Sequence, residues 1–297
     1  MSIRPIYLID ASIYIFKSYF ALPDNWVSEG GYPTNAVYGY TLWLLKLLEA
    51  ESPTHLAAAY DESLGSGFRH RLCPNYKANR VLPDEALAFQ LNACREVAEL
   101  LGITSLASDE YEADDIVGTL ASISRSEGFC PTLLSRDKDL AQLLAEGEVL
   151  WDYGSAEPRT VADLEAHFQV PVSRLADYLA LVGDAIDNIA GVPGIGPKTA
   201  AAIIGHYSSI DAILEDPDQL ANLKVRGAKT LADKIVPWQD QLLLSRQLTK
   251  ICCDAPLGIC VGELLWRGID RAGFTEFCQR MGLGSRLIKR AEGLKSA

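Results

Sequence analysis

Residues 183–200 read Gly-Asp-Ala-Ile-Asp-Asn-Ile-Ala-Gly-Val-Pro-Gly-Ile-Gly-Pro-Lys-Thr-Ala, and they set two carboxylates, Asp184 and Asp187, directly ahead of a glycine-rich turn. Pro197 opens the helix that follows, because its missing N–H would go unpaired there in any case. Gly194 and Gly196 let the backbone approach a ligand closely. Amides at such a turn and helix start form an anion site, to which Lys198 adds charge. Acids suit a hard cation and amides suit a phosphate, and a metal-assisted cut in a nucleic acid needs both. An Asp-rich loop ahead of an ordinary capped helix is the plainer alternative for this stretch alone.

Further acids stand at intervals along the chain: Asp10, Asp61, the group Glu112, Asp114 and Asp115, and the pair Asp137 and Asp139. Each has a structural explanation of its own. Asp10 and Asp137 suit helix caps, Asp61 suits a turn, and Glu112 to Asp115 complement a helix dipole. Together they are harder to dismiss, since nine acids packed unpaired repel one another. Divalent cations relieve that repulsion, and all-oxygen ligands without His or Cys point to Mg²⁺ or Mn²⁺, not zinc. Two such ions about 3.5–4 Å apart are the usual clamp for phosphodiester hydrolysis. Within Tyr76-Lys-Ala-Asn-Arg80, Lys77 and Arg80 are candidates to contact and polarise the scissile phosphate, against the alternative of a solvated basic loop. Tyr14, Phe16 and Tyr19 follow Asp10 and offer surfaces for base stacking, though aromatics at helical spacing more often belong to a core.

The elements that must position these residues follow from the apolar pattern. Strands are predicted from Arg4 to Asp10, Thr54 to Asp61, Ile103 to Ala107, Cys130 to Ser135 and Glu148 to Tyr153. Helices are predicted after Asp10, from Ala36 to Leu48, over 84–101, over 112–126 and from Leu140. Residues 62–84 read as a long loop or mobile segment, and from about 161 the pattern is helical. Alternation of strand and helix argues an α/β domain with a largely parallel sheet. Ligands of such sheets bind beyond the carboxyl ends of the strands, where Asp10, Asp61 and Asp137 fall.

The 297 residues allow one or two domains, and no apolar run is long enough for a membrane span. The seven cysteines are odd in number and show no Cys-x-x-Cys spacing, which predicts free thiols in a reducing cytoplasm. The formal charge of −12 argues against a general nucleic-acid binder. It is concentrated in residues 1–150, where 21 acids face 11 bases, so cations bound by those acids would offset it locally. Affinity for nucleic acid should be modest and steeply salt-dependent.

Several stretches, taken in order, resemble the 5′-nuclease family. They are Asp10 after a strand, Pro33-Thr-Asn-Ala-Val-Tyr-Gly39, Phe68-Arg69-His70 leading to Tyr76–Arg80, Tyr111-Glu-Ala-Asp-Asp115-Ile, Asp137-Lys-Asp139, and Gly183-Asp to Asp187-Asn with Gly-Val-Pro-Gly-Ile-Gly. The likeness runs from about residue 5 to about 285 and is greatest to the 5′→3′ exonuclease domain of bacterial DNA polymerase I and to phage flap endonucleases. It implies a PIN-like (resolvase-like) catalytic domain over 1–160, with a mostly parallel sheet flanked by helices and an arch or clamp near 70–95. A smaller helical domain over 161–297 would carry a helix–three-turn–helix unit near 175–205. The resemblance further implies one metal site of Asp10, Asp61, Glu112 and Asp114, a second of Asp137, Asp139, Asp184 and Asp187, and Asp115 as an outer or shared ligand. It places Lys77 and Arg80 at the scissile phosphate, Lys17, Tyr76, Gly194, Gly196, Lys198 and Thr199 on DNA, and a potassium ion at the carbonyls of Val192 and Ile195.

The chain departs from the family pattern at Lys17, where Arg is usual, at Arg136 and Ile186, where small residues are usual, and in an arch segment, Val81 to Arg95, with few bases. No polymerase domain is expected to follow. The expectation is a monomeric, cytoplasmic, standalone, Mg²⁺-dependent 5′→3′ exonuclease and flap endonuclease, with Mn²⁺ as a substitute. It would act on DNA flaps, nicks, gaps or overhangs in replication or repair. A PIN-type endoribonuclease and a non-catalytic binder of branched DNA are the rivals, and the full set of acids speaks against the second.

Overall fold

The computed structural model describes residues 4–63, 65–80 and 82–295. Val81, in the expected arch, and Leu64, in the loop before it, lie outside them. Six strands form one sheet in the order β3-β2-β1-β4-β5-β6. They are β1 (Pro5–Asp10), β2 (Leu56–Asp61), β3 (Thr104–Ser108), β4 (Cys130–Leu134), β5 (Val149–Trp151) and β6 (Arg159–Thr160). All pairings are parallel except β5 with β6, a two-residue antiparallel addition that the apolar pattern did not signal. The order reverses at β1, with β2 on one side and β4 on the other, which makes this the sheet's switch point.

Helices cover both faces, as the near-continuous apolar strands require. In the first half they are α1 (Ala11–Ala21), α2 (Asn35–Glu51), α3 (Phe68–Leu72), α4 (Glu85–Leu100) and α5 (Ala113–Ser126). In the second half come α6 (Val161–Phe168), α7 (Leu175–Val182), α8 (Pro197–His206), α9 (Ile210–Glu215), α10 (Leu231–Ile235), α11 (Gln239–Thr249), α12 (Arg271–Arg280) and α13 (Ser285–Ala291). Ile6, Leu8, Ala57 and Ala59 pack with α5 and, farther out, α7 and α8. Ile9, Leu56, Ala58 and Tyr60 point the other way, into a layer of α1, α2 and α4. This is the two-residue alternation of a strand buried on both sides.

Three differences from the expected pattern have physical causes. Residues 62–84 are not one open loop, because Phe68–Leu72 form a short helix whose Arg69 is 2 % exposed and tied into the protein. The helix expected from Leu140 is a 3₁₀ segment, Lys138–Leu143, which starts two residues earlier because the Asp137 side chain caps the amide of Asp139. The helical second half does not stay on one side: Phe274, Phe277 and Leu287 of α12 and α13 return to the layer built by α2 and α4.

Candidate active site

Asp10, Asp61, Glu112, Asp114, Asp137, Asp139, Asp184 and Asp187 line one cleft of about 160 Å³, together with Lys77 and Arg80. The first two are the terminal residues of the neighbouring strands β1 and β2, and Asp137 follows β4 by three positions. Glu112 is the N-cap of α5, and Asp114 lies in its first turn. Asp61 links the groups, since its carboxylate accepts from the Ala113 amide at 2.8 Å and seats α5 on the end of β2.

The second half contributes Asp184 and Asp187 through a tight loop. Asp184 and Ile189 pair backbone to backbone at 2.9 and 2.7 Å, and the Asp184 carboxylate accepts from the Ile186 amide at 2.7 Å. The base of this loop is glycine on both sides for steric reasons. A Cβ on Gly191 would lie 2.2 Å from the Val182 carbonyl oxygen, and one on Gly183, at φ +77°, would lie 2.3 Å from the Gly191 nitrogen.

The basic segment is fastened to this acidic loop. The Lys77 amide donates to the Asp187 carbonyl at 2.9 Å, Asn79 Nδ2 to the Ala185 carbonyl at 3.0 Å, and Asn188 Nδ2 to the Asn75 carbonyl at 2.6 Å. Lys77 Nζ donates to Glu112 at 2.6 Å and stands 3.8 Å from Asp187, while Arg80 pairs with Asp187. Beside this cleft a chamber of about 390 Å³ opens toward Phe16, Pro74, Leu82, Pro83, Leu87 and Leu91, at the start of the expected arch.

The electrostatics are those of buried carboxylates crowded against one another. Burial, then Asp61 and Asp137, push the Asp10 carboxyl up to about 8. Burial, then Asp137 and Asp184, push Asp139 up to about 7. Burial, with Asp115 and Glu112 nearby, raises Asp114 well above the carboxylate range in spite of Arg69. Burial would raise Glu112 too, but Lys77 and Arg69 outweigh it and hold that carboxyl below its ordinary value. Among the described residues no three His, Cys, Asp or Glu side chains are already drawn together closely enough to hold an ion. The donor set nevertheless suits a hard divalent ion: it is all oxygen, and Asp139 Oδ1 is buried without a hydrogen-bond partner.

Other expected site residues sit differently. Asp115 does not line the cleft. It is fully buried, holds Arg69 at 2.6 and 2.8 Å, and accepts from the amides of Glu112 and Cys252, so its oxygens are spoken for. Tyr76, expected on DNA, is 3 % exposed, packs with Ile189 and Leu248, and its hydroxyl donates to Glu112 at 2.9 Å. Its hydroxyl thereby supports Glu112. Lys17 also lies outside the cleft, bonded to Ser155 and 3.7 Å from Asp152. Gly194, at φ +78°, and Gly196, the N-cap of α8, are exposed, as is Lys198, with Thr199 half-buried beside them. Val192 and Ile195 bury their side chains, and the Val192 carbonyl accepts from the Ile195 amide at 3.0 Å.

Two residues essential to this arrangement carried no functional reading of their own in the sequence. Arg69 spends its guanidinium on Asp115, Glu112 and the carbonyls of Leu248 and Lys250, joining α3 to α5 and to the end of α11. Ser135 joins Asp10 to Asp137. The one sequence signal for Arg69 was its place in the Phe68-Arg-His70 motif, and Ser135 had none beyond ending a strand.

Residues 5–169 match the family model of the 5′-3′ exonuclease N-terminal resolvase-like domain, and residues 170–272 that of the 5′-3′ exonuclease C-terminal SAM fold. The chain is 32 % identical over 284 residues to the 5′-3′ exonuclease of Aquifex aeolicus, covering 96 % of this chain and 94 % of that protein. It is 31 % identical over 309 residues to DNA polymerase I of Bacillus subtilis, covering 98 % of this chain but 34 % of the polymerase, so it spans about a third of that relative. Among solved structures it resembles the T5 D15 protein co-crystallized with metal ions, at TM-score 0.66 and 20 % identity over 94 % of this chain and 98 % of that one. It also resembles the catalytic core of Rad2 in complex with DNA substrate, at TM-score 0.61 and 15 % identity over 98 % and 90 % of the two chains. The structural likenesses agree with the fold expected from the sequence, a resolvase-like sheet domain followed by a helical unit.

Proposed function

The chain belongs to the 5′-3′ exonuclease family, and on that premise we propose that it is a divalent-metal-dependent 5′→3′ exonuclease and flap endonuclease. Its substrate is DNA at the junction of a duplex and a 5′ single strand, and it acts as a cytoplasmic monomer in replication or repair. The observation that carries this reading is the convergence of eight carboxylates, Lys77 and Arg80 on one cleft at the sheet's switch point. The solved neighbours described with metal ions or with DNA substrate support it by analogy of fold.

Asp10, Asp61, Glu112 and Asp114 would hold one Mg²⁺ or Mn²⁺, and Asp137, Asp139, Asp184 and Asp187 a second. When bound, the ions would activate the nucleophile and offset negative charge gathering on the phosphate. Lys77 and Arg80 stand at the same cleft, and their N–H donors reach acids on both sides of it. A scissile phosphate entering there replaces carboxylate oxygens as their acceptor and has its developing charge stabilised. Asp115, held by Arg69, sets the first turn of α5 and so the position of Glu112 and Asp114. The exposed amides at Gly194 and Gly196, with Lys198 and Thr199 on α8, receive the duplex backbone. Potassium at the carbonyls of Val192 and Ile195 belongs to the same reading. The adjoining chamber, lined by Leu82 and Leu87 and also by Lys77 and Arg80, takes the unpaired 5′ strand.

Cleavage of a 5′-labelled DNA flap in Mg²⁺ and in EDTA, beside Asp137→Ala and Asp10→Ala, tests the proposal. Junction products that need the ion and vanish in both variants are expected, and near-normal cutting by either variant would sink the mechanism. Preference for an RNA flap over the DNA flap would favour an endoribonuclease, and flap binding without cleavage would favour a binding protein.

A further inference from the structure

Ser135 is 1 % exposed and directly follows β4. Its amide donates to the Trp151 carbonyl at 3.1 Å, which pins its backbone to β5. Its hydroxyl donates to Asp10 Oδ2 at 2.8 Å and accepts from the Asp137 amide at 2.9 Å. One oxygen therefore joins the acid that ends β1 to the acid that begins the next turn. The register explains why it can: Ile9 and Leu134 are paired across β1 and β4, so Asp10 and Ser135 are the next residues along each strand. Where the backbone ladder stops, the side chains continue it.

We propose that Ser135 is a positioning residue of the metal centre, one hydroxyl that fixes Asp10 and Asp137 relative to each other. The inference rests on the metal reading above, in which these two acids serve different ions. A hydroxyl is both donor and acceptor. The amide of Asp137 occupies one side of Ser135 Oγ, so the proton is directed at Asp10. That fixes which Asp10 oxygen is engaged and leaves Oδ1 for the cleft. Alanine can supply neither bond, and threonine can supply both.

The test is Mn²⁺ binding to the full chain without DNA, followed by the electron paramagnetic resonance signal of the free ion, for wild type, Ser135→Ala and Ser135→Thr. Removing an outer partner of a metal-ligating group weakens metal binding roughly tenfold or more. The expected result is that loss in Ser135→Ala and near wild-type binding in Ser135→Thr. Thermal unfolding in EDTA is measured alongside. Ser135→Ala that unfolds earlier yet binds Mn²⁺ as tightly as wild type would reduce Ser135 to a structural residue and overturn the proposal. Wild type that fails to bind Mn²⁺ would overturn the metal reading itself, and the inference with it.

Discussion

Arg69 and Asp115 form a two-point ion pair out of contact with solvent. The two terminal guanidinium nitrogens each donate to one carboxylate oxygen, at 2.6 and 2.8 Å, with side-chain exposures of 2 % and 0 %. Such a pair offsets its own desolvation only when the remaining donors and acceptors are also used. Here they are, through Glu112, Cys252 and two carbonyls from the end of α11.

Removing Arg69 therefore leaves a buried charge without a counter-ion. Arg69→Ala is expected to cost about 3–5 kcal/mol, read from urea unfolding. Arg69→Lys keeps the charge but lacks the planar fork, so it should recover part of that loss and not all of it. Equal stability of Arg69→Ala and wild type would show that the pair contributes nothing.

Tyr76 separates a structural role from a nucleic-acid contact. Its hydroxyl donates to Glu112 at 2.9 Å, so Tyr76→Phe should cost about 1 kcal/mol in stability. Affinity for flap DNA, measured in EDTA, should not change, because the ring is enclosed. A clear drop in that affinity would restore the expected DNA contact.

Stability of the ion-free protein should fall with rising pH. Asp10 is raised to about 8 and Asp139 to about 7, each from an ordinary value of 3.8. Between those limits the folded chain holds protons that the unfolded chain has released, so unfolding gains on folding as pH rises. The penalty is absent below the unfolded value and complete above the folded one. Divalent ions need the carboxylates charged, so the stabilisation from Mg²⁺ should grow over the same window. Thermal unfolding from about pH 5 to about pH 9, in EDTA and in Mg²⁺, checks both trends. A flat EDTA series would contradict the first.

Two glycines of one hairpin should respond differently. A Cβ on Gly191 collides with the Val182 carbonyl, so Gly191→Ala should cost about 3 kcal/mol and displace the Asp184 loop. A Cβ on Gly196 meets nothing within 4 Å, and φ there is −96°. Gly196→Ala should leave stability near wild type and lower duplex affinity by crowding the phosphate. Denaturation and DNA-binding titrations on both variants read the contrast, and similar behaviour of the two would remove the distinction.

Much of this molecule is legible without coordinates. Apolar runs ending on Asp10 and Asp61 announce parallel strands whose carboxyl ends share an edge. Glu112-Ala-Asp-Asp115 announces a helix start, and the glycines after Asp187 announce a turn next to a helix N-terminus. Those are local properties of period, capping and steric freedom, which a sequence carries residue by residue. Partner choice across the fold is not local. Whether Asp115 faces an ion or Arg69, 46 residues away, depends on where α3 lies against α5. That Ser135 bonds Asp10, 125 residues away, follows from a strand register that no spacing reveals. Tyr76 looks like a surface aromatic until Ile189 and Leu248 close over it. The types of residue needed for the chemistry were decided by the sequence. Which carboxylates stay open to the cleft, and which are consumed in holding the others, was decided by packing, because a buried charge takes whichever partner the folded backbone brings within reach.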